Sequence, residues 1–161
     1  MKDVYLGFDP GSKGFCCIWF RDSGNYVHYP LFEGKRLNPE LIRECQSISS
    51  MGWRALAVIE QVHSMPHDGV SRSFSFGTSY GMLLGMLEAL GVPYSTCSPG
   101  KWQKAIWEVV DKADNTKLTS YNAARRLLPN MDFRKSERAR IYDNNKVDAT
   151  LICLYAQRKQ L

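Results

Sequence analysis

The run Ala55-Leu56-Ala57-Val58-Ile59, closed at once by Glu60, restricts the fold of this chain more than any other stretch. Five apolar residues without polar alternation describe a strand covered on both faces, because a half-exposed strand alternates. Such cover requires helices above and below a sheet, and the flanking pattern supplies them. Val4-Tyr5-Leu6-Gly7-Phe8 reads as a buried strand ending in Asp9-Pro10-Gly11-Ser12, and residues 14–20 read as a second. The turn chemistry of Asp22-Ser23-Gly24-Asn25 returns the chain as a third, antiparallel strand over residues 26–31. Asn38-Pro39 supplies an N-cap and a first-turn proline for a helix to about Ser49.

Beyond Glu60 a polar loop leads to a helix from roughly Phe74 to Leu90, with Tyr80, Leu83, Leu84 and Leu87 as its apolar stripe. Gly91 stops it, and residues 92–96 give another strand. Ser98-Pro99 opens a helix carrying Trp102 and Ile106. Residues 117–128 form the next helix, 130–146 are charged and poor in pattern, and a last helix runs from about Val147 to Gln157. Three antiparallel strands followed by crossover units predict an α/β fold: a mixed five-stranded sheet flanked by helices, in one domain spanning 1–161.

Three carboxylates then fall at telling places. Asp9 ends the first strand and Glu60 ends the buried one. If the two strands are parallel neighbours, both acids emerge at the carboxyl edge of the sheet, where sites of open α/β folds form. Asp148 opens the last helix, and docking that helix on the sheet would face it toward the pair. Taken singly, Asp9 before Pro-Gly is also a turn-former, and Asp148 also suits the dipole of a first helical turn. Converging carboxylates repel one another unless a hard cation sits among them, so the set points to magnesium or manganese. Two such ions about 4 Å apart suit phosphodiester cleavage.

Charge supports a polyanionic substrate. The net charge is +5, and the excess lies after Pro99, in residues such as Lys101, Lys104, Lys117, Arg125, Arg134, Arg140 and Lys146. The five cysteines form no C-x-x-C pair and read as buried, reduced thiols. His28, His63 and His67 form no ligand pattern. No apolar run approaches the roughly 20 residues of a membrane span, and no targeting segment is evident, so the expectation is a cytoplasmic protein working at DNA.

Phe8-Asp9-Pro10-Gly11-Ser12, Val58-Ile59-Glu60-Gln61 and Val147-Asp148-Ala149-Thr150-Leu151 resemble the three acidic motifs of RuvC-type Holliday-junction resolvases. Gly69-Val70-Ser71, Phe76-Gly77-Thr78-Ser79-Tyr80-Gly81, Val92-Pro93-Tyr94 and Ser98-Pro99 with Trp102 and Lys104 resemble the phage and prophage branch, in order along nearly the whole chain. The resemblance implies an RNase H-like fold, a homodimer, and Mg2+- or Mn2+-dependent cutting of four-way DNA junctions. It carries metal-binding and catalytic roles onto Asp9, Glu60 and Asp148. Bacterial members place an Asp or His three residues before the last acid, where this chain has Asn145; Asp143 is the residue expected to supply the fourth carboxylate, with the side-chain carbonyl of Asn145 as the alternative ligand. Lys104 and Lys117 resemble the family's lysines near the DNA backbone, with Lys101 close by, a solvated helix face being the other account of each. Phe74 or Phe76, in the loop after Glu60, is expected to stack at the junction centre, with core packing an equal account of Phe76.

Other readings remain open on sequence. A nuclease of the same fold could act on RNA-DNA hybrid or structured RNA. A catalytically impaired module could bind junctions without cutting. An Asp before Gly-Ser also opens the phosphate loop of actin-like sugar kinases, but the chain is short for their two-domain cleft and lacks a second such loop.

Overall fold

A computed structural model describes residues 3–11, 13–62 and 69–159 of the chain. The strands are β1 (Asp3–Asp9), β2 (Phe15–Phe20), β3 (Asn25–Pro30), β4 (Phe32–Glu33) and β5 (Arg36–Leu37), followed by helix α1 (Pro39–Ser50) and strand β6 (Arg54–Glu60). Helix α2 (Val70–Ala89), strand β7 (Tyr94–Cys97) and helices α3 (Pro99–Trp107), α4 (Thr116–Leu127) and α5 (Asn144–Lys159) complete the order. The main sheet runs β3-β2-β1-β6-β7, with β1, β2 and β3 antiparallel and β6 parallel to both β1 and β7. The expected mixed five-stranded sheet is therefore present. The small β4–β5 hairpin, which turns at Gly34 with φ +61°, has no counterpart in the sequence pattern.

Side chains of β1 and β6 alternate between two cores, one on each face. Val4, Leu6, Phe8, Ala55, Ala57 and Ile59 pack with α1 and α2 through Leu41, Cys45, Ile48, Leu83 and Leu87. Tyr5 and Val58 face α3, α4 and α5 instead, meeting Trp102, Ile106, Ala123, Leu151 and Cys153. This two-sided burial is what the apolar run of β6 demanded. The amphipathic spacing of Leu41, Cys45 and Ile48 seats α1. Its Asn38 cap accepts a bond from the Glu40 amide at 2.9 Å and donates to Pro30 O at 3.0 Å.

Two glycines let the backbone come close enough to shape the site. At Gly7 an added Cβ would overlap backbone atoms of Ala149 and Cys153, so the bare residue lets α5 lie directly on β1. At Gly14 a Cβ would overlap Asp9 O, which holds the turn between β1 and β2 tight. All five cysteines are buried and unpaired, as read from sequence.

Candidate acidic site at the sheet edge

Strand parity decides where the acids go. Phe8 lies opposite Ile59 in the parallel β1–β6 register, so the next residues, Asp9 and Glu60, reach the same carboxyl edge side by side. Asp9 shares its parity with Tyr5 and Gly7, and Glu60 shares its own with Leu56 and Val58. Both acids therefore project on the face that α3 and α5 cover. The α5 helix, seated over Gly7, carries Asp148 to them.

The electrostatics follow from this crowding. Burial pushes the Asp9 carboxyl well above the carboxylate range, and the charges of Asp148, Glu60 and Asp143 push it further. Burial also raises Asp148 to about 7, with Glu60 adding to the rise while the Ser120 hydroxyl and the Lys117 ammonium oppose it. Glu60 is raised by burial and restrained by a hydrogen bond from Trp102. The opposite end of β1 shows what partners do. There Asp3 accepts bonds from Arg54 and Arg21 at 2.7–2.8 Å, and its carboxyl is held below the ordinary value.

Two residues that hold the acids carry no such mark in the sequence. The indole of Trp102, fully buried in α3, donates to Glu60 Oε2 at 2.6 Å. Ser120 of α4 reaches Asp148. The motif around Ser98-Pro99 gives Trp102 only an inward face, and nothing local marks Ser120, because both partnerships exist only after the helices have docked.

The fourth acid occupies a different kind of place. Asp143 caps α5: its Oδ1 accepts from the amides of Asn145 and Lys146 at 2.9 and 3.2 Å. The last helix thus starts at Asn144 rather than Val147, and Asp148 lies in its second turn rather than opening it. Asp143 is still near enough to act on Asp9 electrostatically. Asn145 follows two residues later, on the helix rather than in a loop.

The lysines lie on the two helices that follow β7. Lys101 stands in the first turn of α3, Lys104 in its last, and Lys117 in the first turn of α4, all exposed. Of the three, Lys117 acts on Asp148. Phe74 and Phe76 sit inside α2, not in a loop, because the helix begins at Val70. Phe74 is 77 % exposed, and with the partly buried Phe76 it lines a groove of about 470 Å³ beside Phe32 and Lys35. Phe76 belongs to neither core cluster, so packing in the core does not explain it. His63 and His67 lie outside the described residues, as does Ser12. His28 is half-buried, with its Nε2 2.8 Å from Thr150 Oγ1, and burial lowers its pKa to about 4.

Whether these residues suit a cation can be tested on their oxygens. Among the described residues no group of three or more His, Cys, Asp or Glu side chains is arranged to hold a metal ion as it stands. Yet Asp148 Oδ1 and Asn144 Oδ1, one helical turn apart, are buried without a hydrogen-bond partner. Orphaned oxygens beside carboxyls with raised pKa values form an oxygen-only donor set short of positive charge, which fits a hard divalent cation.

The sheet order and the flanking helices define an RNase H-like α/β fold. No family model and no curated protein sequence matches the chain. Solved structures do. The chain is similar to Thermus thermophilus RuvC in complex with a Holliday junction substrate, at 12 % identity and TM-score 0.58, over 97 % of this chain and 96 % of that one. A second T. thermophilus RuvC structure matches at 14 % identity and TM-score 0.57, over 98 % and 96 %. The yeast mitochondrial Holliday junction resolvase matches at 15 % identity and TM-score 0.54, over 96 % of this chain and 78 % of that one. Among the described residues no helix is long and apolar enough to cross a membrane.

Proposed function

We propose that this protein is a divalent-metal-dependent endonuclease that hydrolyses phosphodiesters in branched DNA, four-way junctions in particular. The observation that carries the reading is the convergence of Asp9, Glu60 and Asp148 on one face of one sheet edge, with all three carboxyls raised by burial and those of Asp9 and Asp148 raised further by neighbouring carboxylates. The likeness in fold to two resolvases adds to it, one of them bound to a Holliday junction.

Asp9, Glu60 and Asp148 would hold Mg2+ or Mn2+, with Asp143 and the amide oxygens at the start of α5 close by. Bound there, such ions supply the positive charge that stabilises attacking and leaving oxygens and the acidity that activates water. The residues do the rest. Trp102 fixes the rotamer of Glu60 through its 2.6 Å bond. Ser120 and Lys117 keep Asp148 more ionised than burial alone would allow. Asp143, by capping α5, sets where the helix begins and so where Asp148 stands. Lys101, Lys104 and Lys117 would contact the DNA backbone, and Phe74 would stack on a base at the branch. Two symmetric cuts call for two symmetric sites, hence a homodimer working wherever DNA is exposed in the cell.

The test is cleavage of labelled four-way junction, fork, plain duplex and RNA-DNA hybrid, in Mg2+, Mn2+ or EDTA. The expected result is paired, metal-dependent nicking of the junction, abolished by Asp148→Asn while junction binding persists. Cleavage confined to the hybrid, or none in either metal, overturns the reading.

A further inference from the structure

A second cavity of about 540 Å³ lies between α4 and the segment that leads into α5. Its walls include Tyr121, Arg125, Phe133, Arg134, Arg140 and Tyr142. We propose that this cavity binds a backbone phosphate of the DNA strand next to the one presented to the acids; the inference rests on the nucleic-acid reading above.

Three observations support it. Charge comes first. Arg134 is committed, bonding Asp132 through Nε and Nη2 at 2.8–3.1 Å and Glu137 O through Nη1 at 3.0 Å, so it braces the wall. Arg125 and Arg140 have no acidic or hydrogen-bonding partner among the described residues; Arg125 is exposed and Arg140 is at the cavity rim. With Asp132 cancelled by Arg134, the cavity keeps two uncommitted guanidinium groups, the planar fork that matches phosphate.

Construction comes second. Tyr121 and Tyr142 stack at 3.7 Å with planes 5° apart, and Tyr121 meets Phe133 edge-on, so the wall is rigid. Arg134 and Tyr142 form an isolated β-bridge that ties down the segment before α5. Ile141, 78 % exposed, offers an apolar surface next to Tyr142 for a sugar or base. The volume falls within the roughly 300–1,000 Å³ typical of small-ligand sites.

Position comes third. Tyr121 directly follows Ser120, which reaches Asp148, and Tyr142 directly precedes Asp143. Both walls of the cavity therefore continue in sequence directly into residues that act on the acids or belong to them. A strand lying across the acids places further negative charge there, and the arginines next door are where that charge is balanced.

The test uses the full chain and a fluorescent four-way DNA junction in EDTA, followed by anisotropy from low to moderate salt. Wild type is compared with Arg125→Gln/Arg140→Gln, with Arg125→Lys/Arg140→Lys, and with Arg43→Gln on the opposite face of the sheet. Thermal melts are expected to coincide, since neither arginine makes a bond that folding depends on. Abolishing one phosphate interaction should lower the slope of log K against log salt by about 0.9. The Gln pair is expected to bind about tenfold or more weakly with that reduced slope, the Lys pair to remain weak because it lacks the fork, and Arg43→Gln to match wild type. An unchanged Gln pair, or full recovery with lysine, overturns the cavity while leaving the nuclease reading intact. If wild type binds no DNA, the nucleic-acid reading itself fails and takes the inference with it.

Discussion

Replacing Asp148 with Asn should make the metal-free protein more stable at neutral pH while destroying its activity. The carboxyl of Asp148 is displaced from 3.8 to about 7, chiefly because burial penalises its ionised form. The unfolded chain therefore surrenders this proton first. Between pH 3.8 and about 7 the folded state keeps a proton that the unfolded state has lost, so stability falls as pH rises through that window and is flat above it. At about 1.4 kcal/mol per pH unit the full cost above pH 7 is about 4 kcal/mol, an order-of-magnitude figure, and about 3 kcal/mol of it develops between pH 5 and 8. Asparagine is neutral throughout and escapes the penalty. Thermal melts in EDTA should place Asp148→Asn roughly 10 °C above wild type at pH 8, using about 2–4 °C per kcal/mol for a domain this size, with the gap narrowing toward pH 5. Adding Mg2+ should then raise the wild type selectively. A gap that does not change with pH, or a variant less stable than wild type at pH 8, would refute the claim that Asp148 carries an uncompensated buried charge.

Trp102→Phe removes the donor to Glu60, a bond to an ionised group worth about 1.5–3 kcal/mol; the Glu60 carboxyl should rise further, moving the acid limb of the cleavage pH profile to higher pH. Gly7→Ala forces a methyl into the backbone of Ala149 and Cys153, so urea denaturation should register a loss of about 3 kcal/mol or more, with cleavage falling as α5 lifts from the sheet. Phe74→Ala alters an exposed side chain, so stability should change by less than about 0.5 kcal/mol, while junction affinity measured by anisotropy should fall by about tenfold if the ring stacks on a base.

The legible parts of the chain are those where local pattern and tertiary environment agree. The apolar run of β6 announces two-sided cover, Asn38-Pro39 announces α1, and two strand-terminal acids announce the edge of the sheet. Helix starts escape the pattern where their first turns face solvent. Val70 is 88 % exposed and Gly69 gives α2 no side-chain cap, so no stripe marks its first turn. At α5 the signal exists, since Asp143 is a proper N-cap residue, but Asn144-Asn145-Lys146 are weak in pattern and read as loop. The β4–β5 hairpin has two-residue strands, too short to alternate. The bond of Trp102 to Glu60 and the influence of Ser120 on Asp148 have no local signal at all.

The pairing of β1 with β6 has one further consequence. Asp9 and Glu60 are neighbours across hydrogen-bonded strands, so their separation is fixed by the lattice spacing of the sheet, about 4.8 Å between strands, and no loop change can alter it. Asp148 instead rides on α5, whose seat over Gly7 is set by helix-on-sheet packing rather than by strand hydrogen bonds. The site therefore has one wall set by the hydrogen-bond lattice and one that can be tuned. Sequence changes that adjust its reach should accumulate on the α5 side, leaving the strand pair untouched.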